Sequence, residues 1–408
     1  MLNKLRKAWI YKNQNGWPAL ARTILVRLRM NKHQHPFSKI NVISQYDGLL
    51  DLPFGKVVDE SDVSSKTINW FIPPVGKGSG GHLNIFRFMR HLENLGFDNR
   101  IIIVGSPQPF SATIAKQEIE EWFFPLKAAV YLEVTEDTPA SYFAMATSWP
   151  TAYYVRRFMG CVKKCYFVQD FEPWFYPSGT DALLAEDTYR FGFHGITAGS
   201  WLSEKLAHEY GMKTFPLGFS FDKELYKPPQ KEIKKENVRR VLFYARPPTA
   251  RRAFELGLLV LREVCKKHPD VRVVMAGWDV TGYEIPFPCE HAGLMELDQL
   301  PNLYAKCDAA LVLSCSNLSL LPLELMACGV PVISNRAPYT QWLLTEDNSM
   351  LAEPDIMSLA LAVEEVLQNE VTKNRLKKEG LKFAKNTSWE EEAKRFANQL
   401  TVISSEIN

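Results

Sequence analysis

The sequence lacks the features of a membrane-spanning or disulfide-bonded protein. No stretch approaches the ~18–20 apolar residues of a transmembrane helix. Near the start, Lys4, Arg6 and Lys7 interrupt what would otherwise be the apolar core of a signal peptide. The seven cysteines show no Cys-x-x-Cys spacing, so buried free thiols explain them better than disulfides or a metal site. We therefore expect a cytoplasmic protein in a reducing compartment.

A large excess of charge of one sign is also missing. The net charge is +2 at pH 7, which gives no reason to expect a nucleic-acid partner. Of the 408 residues, 46% are hydrophobic and 23% are charged, which is ordinary for a globular protein. At about 100–200 residues per domain, this length predicts two domains, each able to bury a core.

Charge is nevertheless unevenly placed along the chain. The first acidic residue is Asp47, and basic side chains alternate with apolar ones such as Trp9 and Trp17 before it. A basic, Trp-containing amphipathic segment can lie on an anionic bilayer; the alternatives are a helix packed on its own domain and a disordered arm. We predict that residues 1–60 are an extension able to hold the protein at the inner face of the cell membrane. Its basic residues are Lys4, Arg6, Lys7, Lys12, Arg22, Arg27, Arg29, Lys32 and Lys39.

The first half of the sequence alternates between strand and helix patterns. An apolar strand (67–74) leads into a glycine-rich turn (75–81), an amphipathic helix (82–96) that Gly96 can cap, and a second apolar strand (99–105). This order begins a parallel, doubly wound α/β sheet. Further strands are expected at 127–134, 163–170 and 193–200.

A polar, proline-containing segment at 227–240 is predicted to link this domain to a second one. The second half again alternates apolar strands with amphipathic helices, among them 252–268. A last helix is expected over 386–400, where Thr387 or Ser388 can cap it. We predict two Rossmann-like α/β domains that face each other across a cleft, where such sheets bind ligands. The predicted boundaries are 61–225, 226–385 and, for the terminal helix, 386–408.

The motifs of the second half resemble those of family 4 retaining glycosyltransferases, which have the GT-B fold. The run LPLELMACGVPVIS (321–334) matches that family's most recognisable stretch, and the segment 291–312 carries the expected series before it. The resemblance implies that Glu324 accepts hydrogen bonds from the ribose of a nucleotide, as a carboxylate can; the alternative is an acid that only caps its helix. It also implies that the N-terminal domain binds the acceptor, the C-terminal domain binds the nucleotide sugar, and the final helix crosses back to the first domain.

One position departs from that family pattern. The family usually has another glutamate eight residues before Glu324, where this chain has Ser316. The following residues, Asn317, Leu318 and Ser319, replace the family's acidic Gly-Phe-Gly stretch. We expect the hydroxyls and backbone amides of this segment to face the donor sugar.

Basic residues follow the first strand of the second half. Arg246 at the strand end and Arg251 match the family's catalytic cations that clamp the donor diphosphate, and Arg252 could serve instead of Arg251. Two cations there would stabilise the charge that grows as the glycosidic bond breaks. They would replace a metal ion, and the chain has no Asp-x-Asp to bind one. We expect no metal or cofactor beyond the sugar nucleotide; the alternative is the solvated start of a basic helix.

The glycine-rich turn GKGSGG (76–81) matches the family's first glycine loop. Glycine lets the backbone approach a phosphate or sugar closely, and amides at the next helix start point at the anion. We expect Gly80 and Gly81 to contact the donor, with Lys77 and His82 as further candidates. Taken alone, such a turn is common between a strand and a helix.

The segment YFVQDFEPWFYPSG (166–179) joins a polar strand end to a group of aromatic residues. Many family members have a His here that contacts the donor sugar; Gln169 or Asp170 takes its place. We expect Asp170 to act in catalysis, Gln169 and Glu172 to bind sugar hydroxyls, and the aromatic rings to stack on sugar C–H faces. The alternative is a proline-rich turn that covers a core. ATSWPTAYYVRR (146–157) is a second aromatic candidate, for acceptor contacts.

The motifs QDFEPWFYP, FYARP and RRAFELG resemble those of bacterial rhamnosyltransferases that build cell-surface polysaccharides such as S-layer glycans. That resemblance covers residues 65–400 and implies dTDP-rhamnose as donor, a growing lipid-linked glycan as acceptor, and retention at the anomeric carbon. Two other interpretations stay open: a sugar-nucleotide epimerase of similar fold, and a catalytically silent sugar-nucleotide-binding subunit, which Ser316 would allow. A nicotinamide oxidoreductase fits less well, because GKGSGG does not follow GxGxxG.

Overall fold

The structure is a computed structural model that describes residues 42, 43, 46, 48–105, 108, 109, 111–132, 134–229 and 238–406. The basic N-terminal segment, for which membrane contact is predicted, lies outside the described residues, as does 230–237 of the predicted linker. Residues 52–408 form one compact unit that contains two parallel sheets. Within the described ranges, no helix combines the length and the apolar character needed to cross a membrane.

The first sheet has seven parallel strands, which carry apolar side chains on both faces. They are β1 (Thr67–Ile72), β2 (Asp98–Ile103), β3 (Ala129–Tyr131), β4 (Ser141–Ala146), β5 (Cys161–Val168), β6 (His194–Ala198) and β7 (Thr214–Leu217). Their spatial order is β3-β2-β1-β4-β5-β6-β7. Trp70 packs in one apolar core and the next residue, Phe71, in another, because successive side chains of a strand point to opposite faces. The sheet is therefore buried on both sides, as parallel sheets are.

Helices connect these strands, and the first of them follows the glycine-rich turn. They are α1 (Gly80–Asn94), α2 (Ala112–Trp122), α3 (Trp149–Arg157), α4 (Thr180–Asp187) and α5 (Ser200–Tyr210). The hydroxyl oxygen of Ser79 caps α1 by accepting a hydrogen bond from the N–H of His82, at 3.4 Å. Gly96, at φ +85°, ends the helix in the left-handed conformation that glycine adopts without strain. The predicted helix and its glycine cap are confirmed.

The second sheet has six parallel strands in the order β10-β9-β8-β11-β12-β13. They are β8 (Arg239–Tyr244), β9 (Val271–Ala276), β10 (Cys289–Gly293), β11 (Ala309–Leu311), β12 (Val332–Asn335) and β13 (Met350–Ala352). Its helices are α6 (Phe254–Lys267), α7 (Leu300–Tyr304), α8 (Leu321–Ala327), α9 (Pro338–Gln341), α10 (Ile356–Gln368) and α11 (Glu370–Lys385). In both sheets the strand order reverses beside the first strand, so the switch points lie after β1 and β4 and after β8 and β11.

The last helix, α12 (Trp389–Ser405), packs on the first domain although it follows the second in sequence. Ser388 caps it by accepting a hydrogen bond from the N–H of Glu391. The Phe396 ring lies 5.9 Å from the Trp70 ring and 6.0 Å from the Phe167 ring, centroid to centroid. Aromatic packing therefore fixes the end of the chain to the core of the first domain.

The structure does not support acceptor contacts for the segment 146–157. This segment begins at the last residue of β4, a strand that the sequence analysis did not predict, and it contains all of α3. Trp149 and Tyr153 are buried against their own domain. Their rings complete a core and offer no face to a ligand.

Candidate active site

A buried carboxylate stands where β5 ends. Asp170 Oδ1 accepts hydrogen bonds from the backbone N–H of Phe171, at 2.8 Å, and from that of Asn317, at 2.9 Å. Its Oδ2 accepts a hydrogen bond from Ser316 Oγ at 2.9 Å and lies 3.5 Å from Arg251 Nε. Ser316, Asn317 and Arg251 all belong to the second domain, so Asp170 joins the two domains. Burial raises the pKa of the Asp170 carboxyl, while the Arg252 charge and the Asn317 N–H counteract that rise.

Arg251 and Arg252 of the second domain face this carboxylate, and a third arginine, Arg246, lies near Arg251. Arg246 follows β8, and a 3-10 turn over Ala250–Arg252 leads into α6. Arg252 Nη1 donates to Ser314 Oγ at 2.7 Å, and the Arg251 guanidinium lies 3.9 Å from the centre of the Phe175 ring. Arg246 Nη1 donates to Tyr244 Oη at 3.1 Å, whereas its buried Nε makes no hydrogen bond within the part of the chain that the structure describes.

Arg251 and Arg252 lie just before α6 begins, where the backbone dipole opposes positive charge. The three arginines retain donor capacity, since one ion pair with Asp170 does not neutralise three guanidinium groups. The arrangement suits an anion with several oxygen atoms, such as a diphosphate. No cluster of His, Cys, Asp or Glu in the described ranges could hold a metal ion.

Asn317 connects the domains through its side-chain amide nitrogen, while every polar atom of that side chain is hydrogen-bonded. Its Nδ2 donates to the backbone oxygens of Gln169, at 2.9 Å, and Ala198, at 2.8 Å. These oxygens follow β5 and end β6, so the side chain bridges two strand ends of the first domain. Its Oδ1 accepts hydrogen bonds from Trp342 Nε1 and from the N–H of Leu318. We call these four hydrogen bonds the Asn317 bridge.

The segment expected to face the donor sugar is therefore mostly enclosed. Ser316, Asn317 and Leu318 are buried, and Ser319 is partly exposed. The Ser316 hydroxyl is already used on Asp170. The structure gives the side chains of Ser316 and Asn317 a role in joining the domains.

The glycine-rich turn meets β5 from the other side. Gly80 and Gly81 are exposed at the start of α1, and the Gly81 carbonyl accepts a hydrogen bond from Gln169 Nε2 at 3.2 Å. Gln169 Oε1 in turn accepts one from Asn84 Nδ2 at 3.2 Å. Lys77 is exposed, whereas His82 is buried beside Ser79 and carries a pKa lowered by that burial.

Glu324 lies in the first turn of α8 and is partly buried. Burial raises the pKa of its carboxyl to about 7, against the opposing effects of the Arg87 charge and the Tyr226 hydroxyl. Arg87 belongs to α1 of the first domain and is buried beneath the Trp389 ring, 5.3 Å from its centre. This carboxyl therefore faces groups from both domains.

Glu172 points away from the cleft, in contrast to its predicted role as a sugar ligand. Its Oε1 accepts a hydrogen bond from Tyr166 Oη and its Oε2 one from the N–H of Trp149, both at 2.8 Å. Burial raises its pKa to about 7. With both oxygens satisfied inside the first domain, Glu172 anchors the turn that bears Trp174 and Phe175. The sequence analysis missed Trp342, Trp201 and Tyr339, which lie at the domain junction and carry no motif signal.

Comparisons with known proteins agree with this architecture. Residues 239–364 match the family model described as the WsaF C-terminal domain. The chain resembles WsaF. It is also 33% identical to the O-antigen biosynthesis protein RfbC of Myxococcus xanthus over 339 residues, which is 81% of this chain but only 26% of that relative. The chain thus spans about a quarter of the length of the curated relative it matches.

Solved structures extend the likeness to both domains. Sucrose-phosphate synthase from Thermosynechococcus elongatus superposes with a TM-score of 0.64 at 12% identity, over 83% of this chain and 99% of that one. HepE from Anabaena, in complex with UDP and glucose, gives 0.64 at 16% identity, over 83% of this chain and 100% of that one. These likenesses concern the fold. This chain has the two facing α/β domains of the GT-B fold, as its sequence motifs implied.

Proposed function

We propose that this protein is a glycosyltransferase that moves a sugar from a sugar nucleotide to a hydroxyl of a growing bacterial cell-surface glycan. The observation that carries the proposal is the meeting of Arg251 and Arg252 of the second domain with Asp170 of the first, with Arg246 beside Arg251. An anion site opposite a carboxylate, at the strand ends of two facing sheets, suits a donor with a diphosphate at one end and sugar hydroxyls at the other.

The donor is dTDP-rhamnose, by resemblance to rhamnosyltransferases and WsaF. Arg246 and Arg251 hold the diphosphate oxygens, and Glu324 accepts from the ribose hydroxyls. The exposed amides at Gly80 and Gly81 close over the phosphates from the first domain. HepE, of the same fold, is described in complex with UDP-glucose, which supports a nucleotide sugar as ligand.

Transfer proceeds with retention of the anomeric configuration. The acceptor oxygen forms a bond to the anomeric carbon on the face that the diphosphate oxygen leaves, and its proton passes to that departing oxygen. The arginines stabilise the charge that develops on the leaving group, so no metal ion is needed. Asp170, whose Oδ2 lies 3.5 Å from Arg251 Nε, positions that guanidinium at the diphosphate and, being buried, does so in a low-dielectric setting.

The acceptor is a lipid-linked glycan, and the basic N-terminal segment keeps the enzyme at the inner face of the membrane that carries it. A cytoplasmic, peripheral location follows from that pairing. An anionic surface would attract this segment through its cationic side chains at about 1 kcal/mol each.

The test combines donor binding with transfer. Calorimetry of the full chain with dTDP-rhamnose, UDP-glucose and GDP-mannose, with and without EDTA, identifies the donor and the need for metal. Mass spectrometry with a lipid-linked rhamnose acceptor detects transfer, and NMR of the product reads the anomeric configuration. We expect dTDP-rhamnose binding that EDTA leaves unchanged, and acceptor-dependent transfer. Donor conversion to another sugar nucleotide without acceptor would indicate an epimerase, and binding without any turnover a silent subunit.

A further inference from the structure

Aromatic rings from both domains gather beside the arginine–carboxylate site. Trp174 follows β5, Trp201 lies at the start of α5, and Tyr339 lies in α9 of the second domain. Trp174 lies 5.8 Å from Trp201 and 5.9 Å from Tyr339, and Trp201 lies 5.6 Å from Tyr339, centroid to centroid. These three residues are called the aromatic platform.

The platform keeps apolar area exposed that the fold does not use. Trp174 is 44% exposed and the neighbouring Phe175 is 36% exposed. Covering such area gains roughly 25 cal/mol per Å². A ligand with an apolar face that covers an exposed Trp beside a cleft is therefore stabilised by that contact.

The turn that presents these rings is fixed from beneath. Both carboxylate oxygens of Glu172 accept buried hydrogen bonds, and its backbone N–H donates to Tyr189 Oη at 3.1 Å. On the surface side, the Lys205 ammonium lies 5.2 Å from the centre of the Trp174 ring. A ring held this way loses little freedom on binding, so less of the contact energy is offset by entropy.

The platform is continuous with the proposed transfer site. Phe175 follows Trp174, and its ring lies against the Arg251 guanidinium, which pairs with Asp170. A glycan whose terminal hydroxyl reaches the donor sugar at Asp170 would thus extend its preceding residues towards Trp174. The alternative partner for this surface is a second copy of this chain. A stable interface between copies would require about 800 Å² of surface per partner, far more than three partly covered rings provide.

We propose that the aromatic platform is an acceptor subsite that stacks the deoxyhexose residues preceding the acceptor hydroxyl. This inference rests on the proposed function. The C–H faces of a 6-deoxy sugar, with its methyl group, match aromatic rings. Because Trp174 and Tyr339 come from different domains, the complete subsite requires both domains together.

The test measures glycan affinity separately from donor affinity. A rhamnose trisaccharide is titrated into the full chain in the presence of saturating dTDP, with a cellotriose titration as the sugar control. We expect Trp174→Leu to weaken trisaccharide binding roughly 5- to 20-fold, since it removes the stacking face, while dTDP affinity changes less than about twofold. Trp174→Phe keeps an aromatic face and should stay within about threefold of the natural protein.

Tyr283→Ala is the matched control, because Tyr283 is 47% exposed and its ring lies 5.5 Å from that of Phe254, outside the platform. Unchanged trisaccharide affinity in Trp174→Leu would overturn the proposal, as would an equal loss in Trp174→Phe or preference for cellotriose. Concentration-dependent self-association that Trp174→Leu abolishes would assign the surface to a second copy of the chain instead.

If Trp174→Leu does not fold, the same titration with Tyr339→Ala tests the platform from the second domain. If the natural protein does not bind dTDP at all, that result contradicts the proposed function and not the platform.

Discussion

The two domains bring opposite chemistry to their junction. The first domain supplies hydrogen-bond acceptors: the Asp170 carboxylate and the backbone oxygens of Gln169 and Ala198. The second supplies donors: the arginine guanidinium groups and the N–H groups of Asn317. Both edges come from parallel strand ends of similar topology, so the difference comes from the particular side chains and backbone groups presented there. The donor-rich edge is the one suited to a diphosphate.

The largest expected effect comes from removing a cation from the donor-rich edge. Arg251→Ala should lower kcat/KM for transfer by roughly 10²–10³, because the leaving diphosphate loses a stabilising charge. Steady-state kinetics with dTDP-rhamnose measure it. Arg262→Ala on α6, the helix that follows, is the control, since Arg262 pairs with the adjacent Glu263. A kcat/KM in Arg251→Ala equal to that of the control would break the assignment of this edge to the phosphates.

The next effect concerns the carboxylate of the second domain. Glu324→Ala should raise the donor dissociation constant roughly 10- to 150-fold, since one charge-assisted contact of ~1.5–3 kcal/mol is lost. Calorimetry with dTDP-rhamnose measures this constant. Glu353→Ala, at an exposed acid paired with Arg336, is the control. Unchanged affinity would remove Glu324 from the donor site.

The junction itself is tested with an isosteric change. Asn317→Asp replaces Nδ2, which donates two hydrogen bonds, with one carboxylate oxygen that faces the carbonyls of Gln169 and Ala198. We expect the free energy of unfolding to fall by about 1–3 kcal/mol, measured by urea denaturation, and small-angle scattering to report a larger radius of gyration. Asn374→Asp, on the exposed face of α11, should stay within about 0.5 kcal/mol of the natural protein. An Asn317→Asp protein as stable and compact as that control would contradict a joining role for the Asn317 bridge.

The smallest effect is a pH dependence of donor affinity. The pKa of Glu324 is raised to about 7, so its carboxyl is mostly protonated at pH 6 and mostly charged at pH 8. The charged form accepts from ribose hydroxyls, so affinity should rise about tenfold between these pH values. dTDP-rhamnose is the ligand to use, because its phosphates lack the second ionisation near pH 6 of a terminal phosphate. A slope that persists in Glu324→Ala would assign the titration to another group.

Local signals predicted most elements but not which way side chains face. Apolar runs and glycine caps identified α1 and β5, because the physics of both is contained in a few neighbouring residues. The 3-residue strand β13 was missed, since Met350–Ala352 is too short for a periodic pattern.

The site shows the same limit. Arg251 and Asp170 do come together, with Arg246 near Arg251, as residues that follow the carboxyl ends of parallel strands can. Glu172 was assigned to sugar binding because the sequence at a strand end is the same whether its acidic side chain points into the cleft or into the domain core. The Asn317 bridge depends on Ala198 and Trp342, which are distant in sequence, so only the folded chain reveals it.

Gly199 gives the junction one more consequence. Its φ is +83°, and a Cβ there would lie 2.4 Å from the indole of Trp342, which also donates to Asn317. A single added methyl group would act as a wedge between the halves of the molecule. Gly199→Ala would therefore push the Trp342 indole away from its place and weaken the hydrogen bond that it donates to Asn317.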